Sequence, residues 1–388
     1  MNGFPAPASR HQRTATLFPP DRPLRLEKGG ILSQVRVAYE EFGHPDPHRP
    51  NTVFVCHALT GNSHVTRHSP DDIPGWWEEM VGPGRPIDTN HLHVVCANVL
   101  GGCAGTTGPW TPDPTGRPLA ADFPAITVGD MVTVHRRLLV HLGSTGLHAV
   151  VGGSLGGMQA LEWLLRHPGD ARQFLLIATG ARLSTDALAA HAAGRAAIRA
   201  DPAFAAGRYP EHPDARGPVE GLGVARMIAH LTYMSPKSLD TKFARRHQPL
   251  APAADPAYGP YAVERYLEHQ ARTFVTRFDA NSYLHLTAAM DHYDAFARPT
   301  APLPPEDRRP TVQVFSFASD RLFAATDTDH LMTHLSTLGL PLTHHRDITS
   351  EAGHDAFLLR VPGYLTAVAE AFATHDSPRP GPQPVSTR

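Results

Sequence analysis

Ser154 lies in the run Val151-Gly152-Gly153-Ser154-Leu155-Gly156-Gly157-Met158, directly after the mostly apolar segment Leu147 to Val150. This is a Gly-x-Ser-x-Gly pattern. It can hold a serine on a sharp strand-to-helix turn, where the residues two before and two after it must be small or they collide. The hydroxyl then stands at a helix N-terminus with backbone N–H groups beside it, placed to act as a nucleophile. The pattern alone is weak, since a glycine-rich βα turn without chemistry fits the same letters. A dinucleotide-binding turn does not fit, because the run lacks the G-x-G-x-x-G spacing. No G-x-x-x-x-G-K-[ST] occurs, and none of the three lysines, Lys28, Lys237 and Lys242, follows a glycine-rich loop.

A serine hydroxyl is a poor nucleophile at neutral pH and needs a base within hydrogen-bond reach, itself oriented by a third group. On an open α/β sheet these groups sit on loops at the carboxyl ends of later strands, in the chain order Ser, Asp or Glu, His. Asp320 follows the strand-like run Val312 to Phe317. His354 follows the strand-like run Thr343 to Ile348 and precedes the helical run Ala356 to Arg360. Asp320 also fits a plain turn and His354 a plain helix start, yet Ser154, Asp320 and His354 stand in the required order at the required strand ends. Acyl chemistry further needs an oxyanion hole. The Leu155 N–H is one expected donor. The other is the N–H of Leu59, in the loop His57-Ala58-Leu59-Thr60-Gly61 after the strand Thr52 to Cys56. A second glycine-rich loop, Asn98 to Pro109, follows the strand Leu92 to Ala97 and suits the wall of a narrow pocket.

The elements that must carry these residues alternate. Buried-strand patterns occur at 52–56, 92–97, 147–152, 174–178 and 312–317. Helical patterns occur at 130–142 and 155–166, the latter with Met158, Leu161 and Leu165 on one face. Strands alternating with helices predict a parallel sheet covered on both faces. From about 181 to 309 strand signals vanish and an Ala-rich helical pattern broken by prolines takes over, which reads as an inserted helical lid. Residues 24–180 and 310–375 then form the core domain. Residues 1–23 and 376–388 are rich in proline and polar residues and read as flexible tails. The acid-free stretch Met1 to Pro20 admits a transit peptide but reads better as a disordered leader.

Composition excludes several classes. A formal net charge of −2 argues against a general nucleic-acid binder. No apolar run is long enough to span a bilayer. Three cysteines cannot form a disulfide framework and fit a reducing, cytoplasmic compartment. The 25 histidines include His91-x-His93, which a strand would place on one face, and the adjacent pair His344-His345. No H-E-x-x-H or C-x-x-C set accompanies them, so no metal is expected.

The blocks H-A-L-T-G-N-S-H-V, N-V-L-G-G-C-A-G-T-T-G-P, G-G-S-L-G-G-M-Q-A-L-E-W, A-R-M-I-A-H-L-T-Y, D-A-N-S-Y-L and G-H-D-A-F-L run in order from about Val37 to about Leu359. Together they resemble the homoserine O-acetyltransferase family. The resemblance implies an α/β-hydrolase fold with a helical lid, usually dimeric. It implies acetyl transfer from acetyl-CoA to the side-chain hydroxyl of L-homoserine for methionine synthesis, with acetyl-CoA as co-substrate and no bound cofactor. It places Ser154 as nucleophile, His354 as base and Asp320 as the orienting acid, and it points to Arg226 and Asp355 for the amino-acid substrate. A zwitterion needs a cation for its carboxylate and an anion for its ammonium, which these residues supply. Tyr233, on the same lid helix as Arg226, can add a hydrogen bond. Taken without the resemblance, Arg226 reads as a surface arginine and Tyr233 as a core aromatic.

The chain departs from the family pattern in one place. The family usually has an aromatic after the triad aspartate, where this chain has Ser319-Asp320-Arg321-Leu322-Phe323. In the family the position of Leu322 is linked to donor choice, leucine going with acetyl-CoA and arginine with succinyl-CoA. Leu322 therefore favours acetyl, while an Arg321 side chain swung into a donor tunnel would meet a succinyl carboxylate. Succinyl transfer, serine as acceptor, and a plain esterase on the same fold remain the alternatives.

Overall fold

The computed structural model describes residues 9–144, 146–212, 216–247 and 261–373 of the 388-residue chain. Its centre is an eight-stranded sheet. In chain order the strands are β1 (Arg13–Leu17), β2 (Val35–Phe42), β3 (Thr52–Cys56), β4 (His93–Ala97), β5 (Leu147–Gly153), β6 (Ala171–Ile177), β7 (Thr311–Phe317) and β8 (Leu342–Asp347). Their spatial order is β1-β2-β4-β3-β5-β6-β7-β8. The pairs β1–β2 and β2–β4 are antiparallel, and the remaining pairs of this sheet are parallel. The mostly apolar strands β3, β4 and β5 bury every residue, as strands covered by helices on both faces do. One core lies on the face of Phe54, Leu138 and Trp163, and a second on the face of Val55, Phe315 and Phe357.

The sheet corrects the expected N-terminal boundary. Residues 1–23 read as a loop-like tail, but Arg13–Leu17 is an edge strand in register with β2, Ala15 opposite Val37. Its sequence alternates, burying Ala15 and Leu17 and exposing their neighbours, so it shows no continuous apolar run. β2 is mostly buried, but Arg36, Glu40 and Glu41 interrupt its apolar run. Residues 1–8 and 376–388 of the expected tails lie outside the described residues.

Between β6 and β7 the chain forms α3 (Thr185–Ala200), α4 (Val219–Tyr233), α5 (Pro236–Phe243), α6 (Ala262–Val275) and α7 (Ala280–Asp291). α4 packs against both α3 and α6. Its approach to α3 depends on Gly221, where a Cβ would lie 2.5 Å from the Ala197 carbonyl oxygen. The sheet is flanked by α1 (Val128–His141), α2 (Leu155–Arg166), α8 (Ala325–Ser336) and α9 (Pro362–Ala373). Thr127 and Asp130 cap the start of α1 reciprocally. Among the described residues no helix is long and apolar enough to cross a membrane.

Candidate active site

Ser154 stands between β5 and α2 with φ 58° and ψ −123°, a left-handed conformation that side chains rarely adopt. Its backbone is clamped there. The Ser154 N–H donates to Ile177 O at 3.0 Å, and Ser154 O accepts from Met158 N and Thr179 Oγ1, each at 3.0 Å. The flanking glycines are obligatory for steric reasons. A Cβ on Gly152 would sit 2.1 Å from Gly156 O, and one on Gly156 would sit 2.0 Å from Cys56 O. Both obstacles are backbone atoms that cannot swing away. Gly156→Ala should therefore lower the stability by about 3 kcal/mol, the upper range of overpacking, read as a fall in thermal midpoint. A midpoint equal to wild type would show that the elbow relaxes without strain.

His354 lies in a short turn, Gly353–Leu358, after β8. The turn comes close to the end of α4 because Gly353 has φ +79° and no side chain, and a Cβ there would lie 2.5 Å from Tyr233 O. His354 Nδ1 donates to Asp320 Oδ2 at 2.8 Å, leaving Nε2 free to accept a proton. Asp320 Oδ1 accepts the N–H groups of Leu322 at 2.8 Å and Phe323 at 3.0 Å, so the carboxylate cannot rotate away. The rings of Phe323, Phe357 and Tyr233 surround the imidazole at 5.6, 5.4 and 5.8 Å. Phe357 also lies against Gly153, which joins the His354 turn to the serine elbow. Ser154, Asp320 and His354 are all buried. Burial by itself would lower the His354 pKa, but the Asp320 charge and hydrogen bond outweigh it and raise it above the ordinary 6.5.

Neither the Leu59 nor the Leu155 N–H donates to a backbone carbonyl among the described residues. A small cavity of about 50 Å³ lies beside the Leu59 loop, lined in part by Thr60, Val99, Cys103 and Arg277. The second glycine-rich loop is internally braced rather than slack. Asn98 binds Ala104 O, Thr106 Oγ1 donates to Asn98 O at 2.9 Å, and Thr106 and Thr107 receive N–H groups of β2.

The helices between β6 and β7 bring Arg226 and Tyr233, both on α4, towards Asp355. The Arg226 guanidinium lies 4.7 Å from the Phe274 ring centre and 5.6 Å from that of Tyr233. Its Nε and Nη1 are buried and have no hydrogen-bond partner among the described residues. Buried guanidinium nitrogens without a partner are costly, and a bound carboxylate would satisfy them. Burial raises the Asp355 pKa above the usual carboxylate value, opposed by the charges of His354, Arg226 and Lys242. The site thus places a cation, an anion and the His354–Asp320 pair on adjoining elements, with Ser154 on the neighbouring elbow; among the described residues no hydrogen bond joins Ser154 to His354. Leu322 is buried beside Asp320, whereas Arg321 is exposed.

Two neighbours of this pocket escape a reading of motifs. Tyr266, on α6, senses the Asp355 charge, and no local pattern marks it. Arg277 donates through Nη1 to Thr60 O at 3.0 Å and stacks on Phe274 at 5.4 Å. It sits next to the D-A-N-S-Y-L block, the signal that would have found it. His91 and His93 do not share a strand face. His93 is in β4, but His91 is in the preceding turn. His344 bonds Ser316 while His345 bonds Gln313, on opposite sides of β8. A different group, Glu40, His64 and His68, brings its ligand atoms within 4.8 Å of one another. These atoms are hydrogen-bonded together: both imidazoles meet Glu40 Oε2, at 2.9 and 2.8 Å, and Ser63 Oγ donates to Oε1 at 3.1 Å. That network is what allows a fully buried carboxylate on β2.

A family model described as the alpha/beta hydrolase fold matches residues 51–361. The chain is 46% identical over 354 residues to a homoserine O-succinyltransferase of a Nocardioides species, covering 90% of this chain and 95% of that protein. It is 42% identical over 355 residues to a homoserine O-acetyltransferase of Mesorhizobium japonicum, covering 90% of each. Among solved structures, homoserine O-acetyltransferase from Bacillus anthracis matches with a TM-score of 0.82 over 95% of this chain and 98% of that one. At 23% identity, that last likeness shows the fold alone.

Proposed function

Because the chain belongs to the homoserine O-acetyltransferase family of α/β-hydrolase-fold acyltransferases, we propose that it transfers an acetyl group from acetyl-CoA to the side-chain hydroxyl of L-homoserine. The observation that carries this reading is Arg226, with two buried guanidinium nitrogens unbonded among the described residues and its charge acting on Asp355, which neighbours the hydrogen-bonded His354–Asp320 pair. An ester hydrolase has no use for that zwitterion-shaped pair of charges.

The reaction runs in two halves. His354 Nε2 takes the Ser154 proton while Oγ attacks the thioester carbonyl. The oxyanion receives the N–H groups of Leu59 and Leu155. Collapse breaks the C–S bond, His354 returns its proton to the departing CoA thiolate, and an acetyl-serine remains. Homoserine then binds with its carboxylate on Arg226, its ammonium on Asp355, and Tyr233 beside them. His354 deprotonates its hydroxyl, which attacks the acetyl carbon. The second collapse frees O-acetyl-L-homoserine, and Ser154 regains its proton from His354. Nucleophile, base and oxyanion donors all come from the chain, so the scheme uses no metal and no bound cofactor.

Leu322, apolar and buried against the triad acid, supports acetyl as the donor group. Succinyl transfer is the second reading, favoured by the 46% identity to a succinyltransferase and by the Arg277 cation hydrogen-bonded to the Leu59 loop. Thiol release measured with acetyl-CoA or succinyl-CoA, each with homoserine, serine or no acceptor, separates these. Sustained release, beyond one thiol per protein molecule, only with acetyl-CoA plus homoserine is the expected result. Release indifferent to the acceptor would make the protein a hydrolase, and a preference for succinyl-CoA would move the donor assignment.

The reading includes a homodimer, supported by Val224 and Leu231, which expose apolar side chains two turns apart on the outer face of α4. It includes a cytoplasmic setting, supported by three free, buried cysteines. No nucleic-acid or membrane partner enters it.

The pH dependence follows from His354. Its proton must be absent for it to act as a base, and its pKa is raised in the folded protein. The rate constant kcat/KM for acetyl-CoA should therefore fall as pH drops through a value above 6.5. An acidic limb centred below 6.5 would mean that Asp320 does not stabilise the imidazolium.

A further inference from the structure

His57 has no part in the steps above, yet its imidazole joins both loops of the site. It follows β3 and is 2% exposed. Its Nε2 accepts the Val99 N–H at 3.1 Å, so Nε2 is unprotonated and Nδ1 carries the proton. Nδ1 donates to Ala58 O at 2.8 Å. The same oxygen accepts the Gly61 N–H at 2.9 Å. Gly61 can come that close only without a side chain, since a Cβ would lie 2.9 Å from the His57 Cβ. The His57 carbonyl is held in turn by Gln159 Nε2 at 3.2 Å, which also donates to Leu155 O at 3.2 Å. Gln159 Oε1 accepts from His135 Nε2 at 2.9 Å.

Ala58 O and the Leu59 N–H belong to one peptide plane. In a trans amide the C=O and N–H point in opposite directions and cannot turn independently. Two donors gripping Ala58 O therefore fix the direction in which the Leu59 N–H points. We propose that His57, through its Nδ1–H bond to Ala58 O, is a positioning residue that aims the Leu59 N–H at the oxyanion. This role presupposes acyl transfer through Ser154. Burial holds the imidazole down at about 4, so it stays neutral wherever His354 can work as a base. A second proton, on Nε2, would face the Val99 N–H and break the bridge between the loops.

Side-chain geometry offers a clean test. The Asn amide nitrogen lies as many bonds from Cβ as His Nδ1, and the Gln amide atoms lie as many as His Nε2. His57→Asn keeps the donor to Ala58 O and loses the Val99 contact. His57→Gln keeps the Val99 contact and loses the donor, and His57→Phe loses both. Each variant leaves buried polar groups unpaired, so all three should lower the thermal midpoint. Turnover should separate them. His57→Asn is expected to keep kcat close to wild type. The Gln and Phe variants should lose roughly 10- to 100-fold in kcat, less than removal of an entire oxyanion donor. The KM for acetyl-CoA should change little, because the oxyanion bond forms only in the transition state. If Asn loses as much turnover as Gln, or if Gln matches wild type, His57 is merely structural and the proposal falls. A wild-type protein that releases no thiol from acetyl-CoA or succinyl-CoA fails before any variant is compared, and that result overturns acyl transfer itself together with this role.

Discussion

Ser154→Ala abolishes thiol release from acetyl-CoA, lowering kcat by at least about 10⁴-fold, the scale on which loss of a triad nucleophile is felt. The expected effect is this large because Oγ is where the acyl group must rest between donor and acceptor. His354, however well oriented, has nothing to deprotonate without it. The fold should survive. The Ser154 hydroxyl makes no capping bond to α2, and the backbone clamps from Ile177, Met158 and Thr179 act on main-chain atoms that alanine retains. Alanine also bears the positive φ no worse than serine does. Brief exposure of the wild type to acetyl-CoA without homoserine should leave an acetyl adduct, detected by intact mass and absent from the variant. Turnover persisting in Ser154→Ala, with a normal thermal midpoint, would place the nucleophile elsewhere or make transfer direct.

The second large effect concerns the acceptor. Arg226→Met should lower kcat/KM for homoserine about 100-fold, the loss expected when a buried charge is left without its partner. Arg226→Lys should recover only part of it, because an ammonium cannot grip a carboxylate with two parallel bonds. The first half-reaction should be untouched, so the acetyl adduct still forms on Ser154. The stability prediction has the opposite sign. In the free protein the Nε and Nη1 atoms of Arg226 are buried without partners among the described residues. Removing that cation relieves a desolvation penalty, partly offset by the lost contact with Phe274. Arg226→Met should thus match or exceed the wild type in thermal midpoint while losing activity. A variant that loses stability and leaves the KM for homoserine unchanged would make Arg226 a packing residue.

Legibility in the sequence followed the range of the interaction involved. The strands that lead to Leu59 and Ser154 were readable because burial on both faces demands continuous apolar runs, as in Thr52–Cys56 and Leu147–Gly153. The N-terminal edge of the sheet was not. Arg13–Leu17 alternates its burial, and Val35–Phe42 hides two glutamates, one of them paid for by His64, His68 and Ser63 from a distant loop. Nothing local to Glu40 announces those partners.

The amino-acid sequence alone determined the serine elbow, because its constraint is local: two glycines are needed where backbone atoms come within 2.1 Å of any added Cβ. It determined the chain order of Ser154, Asp320 and His354, and hydrophobic patterning set the strand ends before the first two. The tertiary structure alone decided what those residues face. Arg226 reads as a surface arginine until α4 is packed between α3 and α6 and two of its guanidinium nitrogens are buried. Arg277 is unremarked until it meets Thr60 across more than two hundred residues. His57 is one more histidine until Val99 and Ala58 fix its tautomer. Burial and hydrogen-bond partners arise from segments distant in the chain, and the electrostatic state of a side chain is set only when they meet.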